Sequence, residues 1–579
     1  MLRRVAKFFL AFVLGSLVFS ILIFVGTLYV ISSGPDVQEN SVLWLRLSPN
    51  IVEKASNNPL SQLIDPRETI GSVVQSLRKA KVDERIQSVV LIPSAQQGLW
   101  GKVQEIREAI KDYKSSGKKI VAFLEYGGNQ QYYLATACDE IFLTPTSPLD
   151  FTGVARSELF LREAFNKIGI YPDMLHAGDF KTASNLYTET SFTPEHREMS
   201  EALNRDLFEQ LVAGVAEGRR MSEEDVFQLI NEGPFLPKHA LSKGLIDGLL
   251  YEDEILDFLE SDEKGVTPIP HSDYQYVSGS SVGLNEGPAI AIIYVVGPIT
   301  LGYGTVDVAG GDVVGSQTMV DAIRSARLNN RIKAIILRID SPGGSAVASD
   351  IIWREVVLAA EDKPVVVSMS DVAASGGYYL AAPADVIVAQ PATLTGSIGV
   401  FAGKLAFGEV LKKFGIGLET IADGKMSDMN SIGASYSDEE RERMQMQIDA
   451  IYEEFLNRVA EGRGMTRDEV HSVAQGRVWT GKQALSAGLV DELGGLEHAV
   501  LVAKQHAGID IAQEVERQIY PRARTFPEFL SGSFGANVRS FLKTNHDKYP
   551  LYKPFVQLES IYLFQNGEPL TLMPFLFRP

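Results

Sequence analysis

Tyr378-Tyr379-Leu380-Ala381 repeats Tyr132-Tyr133-Leu134-Ala135, and Val459-Ala460-Glu461-Gly462-Arg463 repeats Val215-Ala216-Glu217-Gly218-Arg219. Both pairs stand about 245 residues apart, so one domain occurs twice in the chain. Arg85-Ile86 and Arg331-Ile332 keep that spacing, as do Thr152-Gly153-Val154 and Ile398-Gly399-Val400. Further on, Ala240-Leu241-Ser242-Lys243-Gly244-Leu245 returns as Ala484-Leu485-Ser486-Ala487-Gly488-Leu489. In the second copy, short β-branched apolar runs at 292–296, 334–339, 365–369 and 386–389 alternate with helical patterns at 319–327, at 346–360 and after Ser375. Strand-sized runs separated by helices predict stacked βαβ units around a largely parallel sheet, an α/β fold in each copy. Each copy then closes in helices, one opening on the capping-box pattern Ser437-Asp438-Glu439-Glu440.

The chain around the repeat divides by composition. Residues 1–35 are a cytoplasmic stub and one transmembrane helix, 36–261 the first copy and 288–508 the second. Between the copies, residues 262–287 have the polar, Pro- and Ser-containing character of a linker. Residues 509–579 form an extension in which 561–573, around Asn566-Gly567, suggest a β-hairpin. The anchor follows from residues 8–31, which carry no charge and as a helix would reach about 36 Å, enough to cross a bilayer core of about 30 Å. Arg3, Arg4 and Lys7 precede it, so the positive-inside bias keeps the N-terminus cytoplasmic and exports the body to the far side of the inner membrane.

Lys plus Arg total 54 against 73 Asp plus Glu, a formal charge of −19, which argues against a grip on nucleic acid. The single cysteine, Cys138, sits in an apolar helical pattern and reads as a small buried residue. Eight histidines form no metal-ligand spacing, and no metal or cofactor is called for.

Duplication supplies an internal control, because loops that differ sharply between the copies mark where one copy was kept for chemistry. After its strand the second copy reads Asp340-Ser341-Pro342-Gly343-Gly344-Ser345, where the first reads Ser94-Ala95-Gln96-Gln97-Gly98. Paired glycines there can turn bare amides toward a developing oxyanion, although the same residues also suit a plain turn. Before a helix the second copy reads Ala373-Ala374-Ser375-Gly376-Gly377, where the first has Asn129-Gln130-Gln131. Ser375 is then a nucleophile flanked by glycine amides, Gly376 among them, or a simple helix cap.

These residues, with Tyr378-Tyr379 and Thr395-Gly396-Ser397-Ile398-Gly399-Val400, make the chain resemble the signal peptide peptidase A (protease IV) family over residues 1–508. The resemblance implies two tandem domains of the Clp-protease and crotonase fold and a serine endopeptidase that degrades cleaved signal peptides at the membrane. Its partners are therefore peptides, the membrane and further copies of itself in a ring or dome. It further implies a lysine base from a Gly-x-(Tyr/Phe)-Lys motif, matched by Gly178-Asp179-Phe180-Lys181 in the first copy, with Ser397 orienting that lysine. The repeat register places either Ser427 or Lys425 opposite Lys181, so a base in the second copy stays open. A crotonase-like acyl-CoA enzyme and a non-catalytic membrane scaffold are the alternatives from other classes. Three further motif matches lack the context they need: Gly279 to Gly283 as a nucleophile elbow, Gly476 to Lys482 as a phosphate loop, and Ser76-Leu77-Arg78-Lys79.

Overall fold

The computed structural model describes residues 35–55, 67–94, 98–260, 265–304, 313–522 and 567–573, with Gly15 besides. Apart from Gly15, the expected anchor lies outside the described residues, among which no helix is long and apolar enough to cross a membrane.

Each copy builds one large sheet. In the first, the strands run in the order Gly248–Leu249, Glu140–Leu143, Lys119–Leu124, Ile86–Ile92, Ser41–Arg46 and Thr267–Pro270, every neighbouring pair parallel. In the second, the order is Val478–Thr480, Leu394–Gly396, Val365–Ala374, Ile332–Ser341, Ala289–Val296 and Glu516–Tyr520, with Val386–Ala389 and Glu492–Leu493 branching off Val365–Ala374. Only its outermost pair, Val478–Thr480 on Leu394–Gly396, is antiparallel. Parallel strands are buried on both faces, which is why they read as unbroken apolar runs. Ile290 and Ile292 pack with Ala499 and Val500, whereas Ala291 and Ile293 pack with Ile323 and Ile352 on the other face.

Two segments differ from expectation. Residues 262–287, expected as a linker, contain Thr267–Pro270, the edge strand of the first sheet, and the buried His271 and Tyr274. The extension likewise begins with a sheet strand, Glu516–Tyr520, in the matching place of the second copy. Both are short edge strands, and Pro268 and Pro270 are tolerated where no further strand among the described residues needs their missing donors. The expected hairpin falls mostly outside the described residues. Its described end forms a strand, Leu570–Leu572, that pairs antiparallel with Gly343–Ser345 and meets Phe401.

That strand belongs to a third sheet shared between the copies, ordered Val314–Gly315, Ile299–Thr300, Gly343–Ser345, Leu570–Leu572, Val400–Ala406 and Tyr171–Ala177. The last of these comes from the first copy and pairs antiparallel with Val400–Ala406 along seven registered residues, Val400 on Ala177 to Ala406 on Tyr171. First-copy chain is thereby carried to the edge of the second copy's loops, immediately before Gly178-Asp179-Phe180-Lys181.

Candidate active site

Strand Val365–Ala374 ends at Ser375, and helix Gly376–Ala381 begins directly after it. If Ser375 were a helix cap, its hydroxyl would accept from the first-turn amides, but it makes no such bond. The residue instead takes φ 55° and ψ −115°, a conformation that costs a non-glycine residue on the order of 1–3 kcal/mol and gathers at functional sites. Its amide donates to Gly396 O at 2.7 Å, and its carbonyl accepts from Tyr379 N at 2.8 Å, which fixes the turn.

The side chain of Lys181 meets this turn. Its Nζ lies 2.8 Å from Ser375 Oγ, 2.9 Å from the Ser397 carbonyl and 3.0 Å from Ser397 Oγ. Lys181 is 1 % exposed and Ser375 and Ser397 are 0 % exposed, and among the described residues no carboxylate bonds the amine. Burial therefore lowers the Lys181 amine well below the ordinary lysine range, with no opposing charge to restore it. Two glycines bring the lysine loop in. A Cβ on Gly178 (φ 103°) would lie 2.4 Å from the Gln475 carbonyl carbon, and one on Gly476 (φ 80°) would lie 2.5 Å from Lys181 Cα. Phe180 N donates to Gln475 O at 2.8 Å and pins the same contact.

On the other side of Ser375, a Cβ on Gly343 would fall 2.6 Å from the amide nitrogen of Gly376, so these two backbones abut. The Gly343 amide itself donates to Ser341 Oγ at 3.2 Å. Gly344 faces away from this contact, because a Cβ there would strike the backbone of Ile299. The structure thus gathers Ser375, Lys181, Ser397, Gly343 and Gly376 and sets Gly344 one step along the ladder. Lys425 stands apart, 83 % exposed and 3.8 Å from Glu439. In the first copy Asn129 replaces the serine, its amide group tying Gly153 O and the amides of Thr152 and Gly153.

Two groups of residues escaped sequence reasoning. Gly476 carries no local signal beyond a motif match that lacks its context, and its packing on Lys181 depends on a fold that no local pattern reports. Leu570 to Met573 also lie across the site: Met573 N donates to Pro342 O at 2.7 Å, and Thr571 registers with Gly344. Met573 enters an apolar pocket with Met199, Leu203, Ala374, Leu394 and Val478, while Leu570 and Leu572 pack with Ala183 and Phe401. Alternating apolar positions at the chain end were the available signal.

A hydroxyl set against a buried amine at the end of a parallel strand is an arrangement that suits amine-assisted serine hydrolysis. The model of peptidase family S49 matches residues 112–267 and 358–510. The chain is 38 % identical over 510 residues to the chloroplastic serine protease SPPA of Arabidopsis thaliana, covering 86 % of this chain and 74 % of that protein. It is 30 % identical over 558 residues to Protease 4 of Salmonella typhi, 91 % of this chain and 88 % of the relative. It is also 30 % identical to Protease 4 of Haemophilus influenzae, covering 75 % and 72 %. The chain belongs to peptidase family S49 and is a serine peptidase. Neither the acyl-CoA enzyme nor the non-catalytic scaffold fits that membership.

Proposed function

We propose that the protein is a membrane-anchored endopeptidase in which Ser375 is the nucleophile and Lys181 the general base, acting on apolar peptides such as cleaved signal peptides. The observation that carries this reading is the 2.8 Å approach of Lys181 Nζ to Ser375 Oγ inside a buried site. A neutral amine at that distance takes the hydroxyl proton as Oγ attacks the peptide carbonyl carbon. The Gly376 amide, with the Gly343–Gly344 turn beside it, receives the charge on the carbonyl oxygen. The ammonium then passes its proton to the leaving amine, and water activated by the same lysine releases the acyl group. Ser397, bonded to Nζ through both its carbonyl and hydroxyl, aims the amine.

The substrate class is supported by the chain's own residues. Leu570–Leu572 adds to Gly343–Ser345 as a strand, with apolar side chains entering apolar pockets, which is how an extended apolar peptide would lie. The largely parallel sheet of each copy supports a Clp-protease or crotonase-like domain, and the charge-free run at 8–31 supports an anchor with the body outside the cytoplasm. A fluorophosphonate probe tests the chemistry: labelling lost in both Ser375→Ala and Lys181→Ala is expected, and labelling retained in Ser375→Ala would remove the nucleophile. Protease added to spheroplasts should reach sites beyond Pro35. Complete protection of the body would defeat the proposed topology.

A further inference from the structure

Lys102 plays no part in the chemistry described above, yet it is buried at the junction of the copies among carboxylates on the strands that lead into the active-site loops. It lies in the first turn of the first-copy helix Trp100–Lys114. Its Nζ is 2.6 Å from Asp340 Oδ2 and 2.8 Å from Asp371 Oδ2, both on second-copy strands. Its backbone amide donates to Asp371 Oδ1 at 2.8 Å, and Leu99 N reaches Asp371 Oδ2 at 3.3 Å. The helix is pressed onto the strand: a Cβ on Gly101 would fall 2.9 Å from Ser370 O and 3.0 Å from Asp371 Cα.

This contact falls where the second sheet breaks register. Strands Ile332–Ser341 and Val365–Ala374 pair with Ile339 on Met369, but next with Ser341 on Ala373, so the nucleophile strand bulges at Ser370, Asp371 and Val372 opposite Asp340. Val372 N donates to Asp340 Oδ1 at 3.2 Å, closing the bulge onto the same carboxylate. Bulges re-aim the residues beyond them. Beyond this one, Ser375 follows directly on the end of one strand and Gly343 comes two residues after the end of the other. In the first copy, strands Ile86–Ile92 and Lys119–Leu124 pair without a shift, and Ser94 and Glu125 occupy the matching positions.

We propose that Lys102 is a positioning residue for catalysis, clamping Asp340 to Asp371 so that the bulge holds Ser375 and the Gly343 turn at attacking distance. This rests on Ser375 being the nucleophile. The other charged groups facing the clamp are Glu53, 3.9 Å from Lys102 Nζ, and beyond it Arg338, bonded to Glu53 and to Glu105 of the Lys102 helix. Burial, with Asp371 and Glu53 nearby and Lys102 opposing, pushes the Asp340 carboxyl up to about 6. Removing the cation takes away the charge that opposes this rise and leaves the Asp340 carboxylate unscreened once it forms, so the damage deepens with rising pH, over a range higher than the parent's.

The test compares fluorophosphonate labelling of Ser375, and kcat and KM on an apolar peptide, in the full-length protein and two variants. Lys102→Met/Asp340→Asn deletes one cation and one anion together, keeping the charge balanced, and Asp371→Asn keeps the Lys102–Asp340 pair while removing one arm of the clamp. Both are expected to stay folded and to lose about 10- to 100-fold in labelling rate and kcat, the range a misplacement near 1 Å produces, with KM within about threefold. Lys102→Met alone should fall further behind the parent as pH rises from 6 to 9, and the charge-balanced double variant should remove that slope without restoring the rate. Labelling within about twofold of the parent in either folded variant overturns the clamp. A parent that does not label at Ser375 overturns the clamp and the nucleophile together.

Discussion

The two copies share a frame down to single hydrogen bonds and part company at the site. Tyr132 OH donates to Leu245 O at 2.7 Å in the first copy, and Tyr378 OH to Leu489 O at 2.8 Å in the second. Arg219 pairs with Asp247 as Arg463 pairs with Asp491. Gly218 admits the Thr136 carbonyl where a Cβ would be 2.0 Å away, and Gly462 admits Ala382 at 2.3 Å. These account for the repeated Tyr-Tyr-Leu-Ala and Val-Ala-Glu-Gly-Arg stretches as packing. At the head of the short helix, however, one copy has Asn129 knitting its own loop and the other has Ser375 facing a lysine from its partner copy. The frame was retained twice, whereas each half of the proposed proton-transfer pair stands in only one copy.

The strongest way to break this comparison is to test whether either copy suffices. Ser375→Ala and Lys181→Ala should each lose about a thousandfold or more in kcat/KM, and the double variant should be little worse, because the two groups fail as a unit. Lys425→Ala should keep most activity. Were Lys425→Ala inactive and Lys181→Ala active, the site would belong to one copy. Lys181→Met adds a thermodynamic reading. The unfolded lysine binds a proton below about 10.4, and burial keeps the folded one neutral to much lower pH. The unfolded state thus binds more protons across that window, so the parent gains stability as pH rises through it. The variant, with no proton to bind, should be more stable than the parent at pH 7 and show a flatter pH dependence in thermal melts.

A smaller effect should come from the seam between the copies. Gly476→Ala places a methyl against Lys181 Cα at a positive φ, and a loss of roughly 10- to 100-fold in kcat with modest change in KM is expected from the displaced amine. Unchanged kcat would mean that the seam does not set the lysine's position. Smaller again, truncation before Gly567 should free the pocket filled by Met573 and lower KM for short apolar peptides by about threefold to tenfold. This is the competition expected when a tethered segment occupies the same strand position. A KM that does not move would mean that the segment and substrate use different surfaces. The smallest change tests the shared frame. Tyr132→Phe and Tyr378→Phe each strand a buried carbonyl and should cost a similar ~1–2 kcal/mol by denaturant unfolding, with kcat unaltered. A large difference between them would show that the copies are not equivalent frames.

Much of this was legible beforehand, for identifiable reasons. Strand 386–389 was placed residue for residue, and the capping box at Ser437 and Glu440 forms as its pattern requires. Cys138 is buried, and that burial pushes its thiol up to about 12, in keeping with a packing residue. Edge strands Thr267–Pro270 and Glu516–Tyr520 were not legible, because an edge needs only backbone donors on one side and leaves little apolar signature.

The sequence by itself determined the duplication, the α/β alternation and the loop chemistry, because apolar periodicity and the loss of Ser and paired Gly from one copy are local properties of the chain. It named Ser375 and, through a motif, Lys181, but left Lys425 and a helix-capping role for Ser375 standing. Tertiary structure decided which lysine lies beside Ser375: strand Tyr171–Ala177 crosses to pair with Val400–Ala406, and the Gly178–Gly476 contact then buries Lys181 against Ser375. A lysine's basicity depends on how much water and countercharge surround it, and that environment is assembled from segments nearly two hundred residues apart, which no local pattern encodes.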